Sequence, residues 1–388
     1  MPLGRNAKEC DGDGNVAFNK LWGYDNANSV SRTFPQKPAI NMTVRFPTAL
    51  ALAAFCFSIF PVVVAAGAEV AAPAEHYDFA LDGKLVARFM TAHDTSTPER
   101  RAETYKPYLH VFGPDGTRLT KGPGGTFPHH RGIFVGYNKI DVGGKKYDRW
   151  HMTGGDQVVR EFDRGETKES KLSDDIEAVI DWQGDAAAKE PILTERRKLI
   201  ITPGTKPFYL GVELRSTIEA VAGEVVLDGD PEHAGAQFRP SEKIELAKTE
   251  YLFPGENIDA HKDKDLPWAA EIFTVEGKTF TVAILNHPSN PQGTRYSAYR
   301  NYGRFGAFPV LKAAPGAPAK LHYKWVVAEG EVRDPAVFQT EWNKFAGKND
   351  PTPKLTTRQA DQPAPKKPDV PKKPGGDKKS EAKKSEAK

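Results

Sequence analysis

Cysteine is nearly absent: the 388 residues contain two, Cys10 and Cys56. Two thiols so placed cannot build a disulfide scaffold or a Cys-ligated metal framework. Glycine-rich phosphate loops, zincin motifs and nucleophile elbows are missing too, so no cofactor is specified by motif. Long apolar runs are limited to one, residues 49–66. It follows Arg45 and ends in Ala66-Gly67-Ala68, which is the order of a secretory signal. Residues 42–68 are therefore expected to be a signal peptide cleaved near Ala68, leaving a secreted or periplasmic protein. On this reading Met42 is the true start, and residues 1–41, polar and unpatterned, are a spurious disordered extension. A retained membrane anchor is the competing reading of an 18-residue run. Pro61 and the small residues at the end of the run favour cleavage, which would remove both cysteines.

Charge is unevenly spread. Residues 348–388 hold 12 Lys and Arg against 6 Asp and Glu, and residues 1–68 hold 6 against 4, so residues 69–347 carry −5 within the overall +3. That balance argues against a phosphate-binding groove, and nucleic acid is not expected as a partner. The Lys/Pro/Ala-rich tail over 348–388 cannot bury a core and is expected to be disordered, free to lie against cell wall or an anionic envelope surface.

Between these ends, residues 69–347 read as one β-sandwich domain. Alternation of period two dominates. Phe208, Leu210, Val212 and Leu214 fall on one face and Tyr209, Glu213 and Arg215 on the other. Phe280, Val282 and Ile284 in KTFTVAILNH repeat the alternation, and similar stretches at 84–90, 106–112, 132–140, 157–164, 176–183, 192–202, 234–239 and 320–328 need two sheets. Hairpin turns are expected at Gly143-Gly144 and Glu276-Gly277. Helix signal sits only near the end, where Asp334 can cap, Pro335 suits the first turn and Gly347 stops a helix carrying Phe338, Trp342 and Phe345 on one face. The fold class is all-β, a two-sheet sandwich with one short C-terminal helix.

Three segments hold the chemistry. In residues 122–151, GPGGTFPHHRGIFVGYNKIDVGGKKYDRWH crowds three of the ten histidines. His129 and His130 leave a Gly/Pro-rich loop, and a hairpin would return Asp148, Trp150 and His151 to them. Neighbouring strand residues face opposite ways, so both rings share a pocket only if the loop bends the backbone. His129, His130 and His151 can exchange protons, with Asp148 orienting a ring or serving as base, Glu213 as another base, and Arg131 holding ligand. Two or three imidazoles with Asp148 would equally suit zinc, copper or iron, or the histidines simply tie loops together at a sheet edge. No residue is assigned as a metal ligand. In the second segment, ILNHPSNPQGTRYSAYRNYG at 284–303, His287, Arg295 and Tyr299 offer donors and flat faces of the kind sugar rings prefer. EHAGAQFRP at 232–240 adds His233, Gln237 and Arg239.

FPHHRGIFVGYNKI with YDRWH, then GAQFR, then LNHPSNPQG resemble the bacterial PmoA-like family, often labelled methane oxygenase. The resemblance implies an exported β fold similar to the galactose-mutarotase supersandwich, a carbohydrate ligand, and a common pocket of His129, His130, Arg131, His151, Arg239 and His287. Methane oxidation is not carried over, because one apolar stretch is no multi-span membrane subunit. The expected function is a carbohydrate-directed isomerase, hydrolase or lyase. A glycan-binding module, with Trp150 and the tyrosines stacking on sugar, and a His-ligated metal-dependent oxidoreductase are the alternatives.

Overall fold

The computed structural model describes residues 74–165, 173–185, 190–230 and 232–361. The expected signal, the extension before it and most of the tail lie outside the described residues.

Two large antiparallel sheets and one small one account for the strands, numbered in chain order. The seven-stranded sheet runs β1 (His76–Leu81), β2 (Lys84–Met90), β3 (Tyr108–Val111), β4 (Ile133–Tyr137), β12 (Ala234–Phe238), β17 (Phe305–Phe308), β16 (Arg295–Ala298). The nine-stranded sheet runs β20 (Leu355–Gln359), β13 (Glu250–Pro254), β14 (Trp268–Val275), β15 (Lys278–Asn286), β19 (Ala319–Glu329), β10 (Phe208–Ala220), β9 (Pro191–Pro203), β8 (Asp174–Gln183), β7 (Gln157–Gly165). A four-stranded sheet, β18 (Leu311–Ala313), β11 (Val225–Asp228), β5 (Lys139–Val142), β6 (Lys145–Tyr147), closes one side.

The alternation read from sequence decides the layers. Leu210, Val212 and Leu214 of β10 and Leu321, Tyr323, Trp325 and Val327 of β19 point inward to meet Ala87, Leu109, Val111, Ile133 and Val135 of the seven-stranded sheet in one core. The opposite face of the nine-stranded sheet is also covered, since Trp268, Ala270, Leu285 and Val326 pack under Phe338 and Trp342. Those two come from α2 (Pro335–Ala346), which is capped by Asp334 and stopped by Gly347 in the left-handed region at φ 63°. Burial on both faces explains why β14 carries no alternating pattern.

Three local features depart from expectation. A second helix, α1 (Pro98–Thr104), is capped by the Thr97 side chain and has Pro at its start. Its sequence, PERRAET, has no apolar stripe, because it packs through Arg101 and its carbonyls instead. The fold also runs past residue 347: Thr356 and Leu355 pair with Phe253 and Pro254, so β20 extends the sheet into what reads as tail. Edge position explains its polar composition, since it buries little. The expected strand over 132–140 is two, β4 and β5, which belong to different sheets.

Candidate functional site

The outer face of the seven-stranded sheet carries a small apolar patch of Tyr108, Phe134 and Trp150, separate from the core. Residues 148–151 cross β4 at Gly136, where an added Cβ would lie 2.7 Å from the Arg149 carbonyl oxygen. Only glycine admits that approach. The loop before β4 comes back over the same face. His130 N–H donates to the Phe127 carbonyl at 2.9 Å, and Gly132 adopts φ 34° with no room for a side chain beside the Leu109 carbonyl. This is the bend that lets two adjacent histidines share one cleft.

Four imidazoles meet there. The ring of His129 lies 4.4 Å from those of His130 and His151 and 6.2 Å from that of His233, and the His151 and His233 rings are 4.9 Å apart. Ligand nitrogens of His129, His151 and His233 all fall within 4.8 Å of one another. His233 enters from the loop before β12. Tyr302, between β16 and β17, flanks His130 at 6.1 Å, and Phe127, 40% exposed, covers the mouth at 5.3 Å from His130.

Two of the histidines are held in the same way. Asp148 Oδ1 accepts the N–H groups of Trp150 and His151, both at 2.9 Å, while Oδ2 takes His151 Nδ1 at 2.7 Å. Asp230 Oδ1 accepts Glu232 N–H at 3.0 Å and His233 Nδ1 at 2.6 Å, and its Oδ2 accepts from Asn138 at 2.6 Å. An ionised carboxylate only accepts, so each Nδ1 carries a proton. Burial works to raise the pKa of both Asp148 and Asp230, but their hydrogen bonds outweigh it and hold them below the usual range. Burial, with Lys106 and the other imidazoles, pushes His129 down to about 3, and burial lowers His233 against the pull of Asp230. Burial therefore favours neutral imidazoles at His129, His130 and His233. The buried His129 Nε2 has no partner among the described residues.

Such a set can hold a first-row divalent ion. Three imidazole nitrogens with carboxylates behind them are a metal-ligand arrangement, and an ion held by three protein ligands keeps a position open for water or substrate. Nitrogens at about 2.0–2.1 Å from one ion lie roughly 3.3 Å apart, so binding would draw the rings together by about 1 Å.

The remaining expected residues divide into four groups. Trp150 is wholly buried beneath His130 and His233, at 5.8 and 5.7 Å. Arg131 and Arg239 are buried and build the site rather than touch a ligand. Arg131 donates to the carbonyls of Pro128, Glu103 and Ala102 and stacks on Tyr105 at 4.1 Å, fastening α1 to the histidine loop. Arg239 donates to the carbonyls of Tyr302 and Pro240. The single pocket expected to include His287 is not formed. His287 stacks on His322 at 4.2 Å, His322 Nε2 meets Glu213 at 2.8 Å, and Phe345 of α2 closes over both rings. This group sits on the outer face of the nine-stranded sheet, with the core between it and the cleft, so Glu213 is no base for the cleft histidines. A cavity of about 360 Å³ beside His287 reaches Asp265, Asn290 and Trp342 and none of the cleft. Arg295 pairs with Asp228 at 2.7 Å, and Tyr299 stacks on His261 at 4.0 Å, so neither is free as expected. Asp230 was not singled out from sequence. The signal was there, because Asp148-Arg-Trp-His151 and Asp230-Pro-Glu-His233 share one spacing.

A family model described as "Family of unknown function (DUF6807)" matches residues 76–343. It replaces the PmoA-like resemblance, for which no family match is found. The signatures behind that resemblance lie mostly in Gly, Pro and Asn turns such as the one at 127–130. No curated protein matches. Among solved structures, the chain is similar to a polysaccharide lyase at 13% identity and TM-score 0.32, covering 66% of this chain and 34% of that one. It is similar also to a galactose mutarotase related enzyme from Lactobacillus acidophilus at 8% identity and TM-score 0.30, covering 67% and 98%. The chain thus spans about a third of the lyase it matches.

Proposed function

Taking as premise that the chain belongs to the DUF6807 family, whose description names no activity, we propose that it is a carbohydrate-directed metalloenzyme. His129, His151 and His233 hold one divalent ion, and a sugar ring occupies the mouth of the cleft. The observation that carries this reading is the convergence of three imidazoles, two of them backed by aspartates in the same D-x-x-H turn. The ion would supply Lewis-acid polarisation of a bound hydroxyl or carbonyl, or a hydroxide at neutral pH. Asp148 and Asp230 fix the ring tautomers and raise the basicity of the ligands. His130, unprotonated and against the cluster, is placed to accept a proton from a substrate hydroxyl. Phe127 and Tyr302 offer the flat apolar faces on which a pyranose stacks.

The protein is proposed to act outside the cytoplasm after loss of residues 1–68, which N-terminal sequencing of exported protein tests by starting at Glu69. A glycan array and a turnover screen, run on the protein as purified, after chelation and after metal is restored, test the activity. Turnover lost on chelation and restored by one metal supports the reading. Full activity without metal would assign the histidines to proton transfer instead.

A further inference from the structure

Beneath the three ligand histidines, the cleft has buried polar atoms without a hydrogen-bond partner, among them one N–H and one lone pair of the neutral His130 ring. Trp150 Nε1, both ring nitrogens of His130, and Nε and Nη2 of Arg304 are all buried without a hydrogen-bond partner among the described residues. Trp150 and Arg304 are wholly buried and His130 is 2% exposed. These groups belong together. Trp150 packs edge-on against His130 and His233, and Arg304 Nη1 is held by the carbonyl of Glu232, the residue before His233. The unpartnered atoms of Arg304 are its Nε–Nη2 edge, the edge that takes both oxygens of a planar carboxylate side by side.

The surrounding charge points the same way. Arg131, Arg149 and Arg239 are buried around the cleft, and the hydrogen bonds of each go to backbone carbonyls. None is ion-paired within 4.0 Å among the described residues. The acids beside the histidines are engaged, Asp148 with His151, Asp230 with His233 and Asn138, and Glu232 with Arg300, while burial pushes Glu271, near Arg239, up towards its uncharged form. Glu232 forms an ion pair with Arg304 Nη2 at 3.6 Å, but at that distance makes no hydrogen bond to the Nε–Nη2 edge. Carbonyl dipoles stabilise cations without cancelling their charge, so the cleft attracts anions.

We propose that this floor is a carboxylate subsite and that the ligand is an acidic sugar, a uronate. Its carboxylate lies along the Arg304 edge with Trp150 Nε1 and His130 as further donors, and its hydroxyls face the three-histidine centre. This rests on reading the cleft as a sugar site and sharpens it to a substrate class. The test is calorimetry on the full mature protein loaded with zinc, titrated separately with D-glucuronate, D-galacturonate, the matching neutral sugars, and glucose 6-phosphate. One uronate should bind at least about tenfold more tightly than its neutral counterpart, a difference of the size that charge-assisted hydrogen bonds provide. Arg304→Gln should bring uronate affinity down to that of the neutral sugar. Because Arg304 is buried and its variant risks misfolding, Trp150→Phe provides a second arm, in which uronate binding should weaken several-fold more than neutral-sugar binding. Equal binding of acid and neutral sugars, tighter binding of the phosphate, or no sugar binding at all to zinc-loaded protein would overturn the proposal. Arg304-dependent uronate binding in a protein that takes up no zinc would uphold it while removing the metal centre.

Discussion

The chain carries two histidine groups on opposite outer faces of one sandwich, and they are built for different ends. In the cleft, Nδ1 of His151 and of His233 is anchored to an aspartate, and ligand nitrogens of both lie within 4.8 Å of each other and of His129. On the far face, His287 Nδ1 accepts from Ser289 N–H at 3.1 Å, and His322 Nε2 is spent on Glu213. Both groups are clusters of imidazoles beside carboxylates. Among the described residues only the first brings three imidazole ligand nitrogens within 4.8 Å of one another, and that separates a site that can bind a metal from one that holds a loop in place.

The largest expected effect is on metal. His151→Ala or His233→Ala should abolish tight zinc binding, measured by competition with a chromogenic chelator, because two nitrogens alone form a weak site. His287→Ala on the far face should leave it within about twofold; a comparable loss there would erase the contrast between the two groups. Next come the supporting aspartates. Asp148→Asn and Asp230→Asn should each weaken zinc affinity about 10–100-fold with the protein still folded, the usual cost of removing an outer-shell partner.

A smaller effect belongs to Glu213. Burial works to raise its pKa, but hydrogen bonds from His322 and Arg215 hold it below the ordinary value. A carboxylate with a depressed folded pKa contributes stability above its unfolded value and loses it as pH falls. Glu213→Gln should therefore cost about 1 kcal/mol at neutral pH, flatten the decline in stability through the carboxylate range, and leave zinc binding unchanged, by urea unfolding at several pH values. Altered zinc affinity in this variant would tie the two faces together.

Legibility from sequence follows the same division. Strands with one covered face, such as β2, β10 and β19, announce themselves by alternation, and α2 by its cap, apolar face and terminal glycine. β14 is buried on both faces and β20 is a polar edge, so neither carries a period-two signal. The D-R-W-H turn and the paired histidines were readable as a cluster. His233 was visible, but its aspartate partner and its place in the cleft depend on how β4 and β12 pair, which local pattern does not encode. His287 and Glu213 were grouped with the wrong face for the same reason. Residue types reveal what a side chain can do, whereas pairing decides which of its atoms are already occupied.

The most direct measurement is the metal content of untagged mature protein, dialysed against micromolar zinc, iron, copper or manganese and then against buffer. About one ion per chain should remain, and none in His233→Ala. Wild-type protein that retains none of the four, while folded by circular dichroism, would contradict the three-histidine centre.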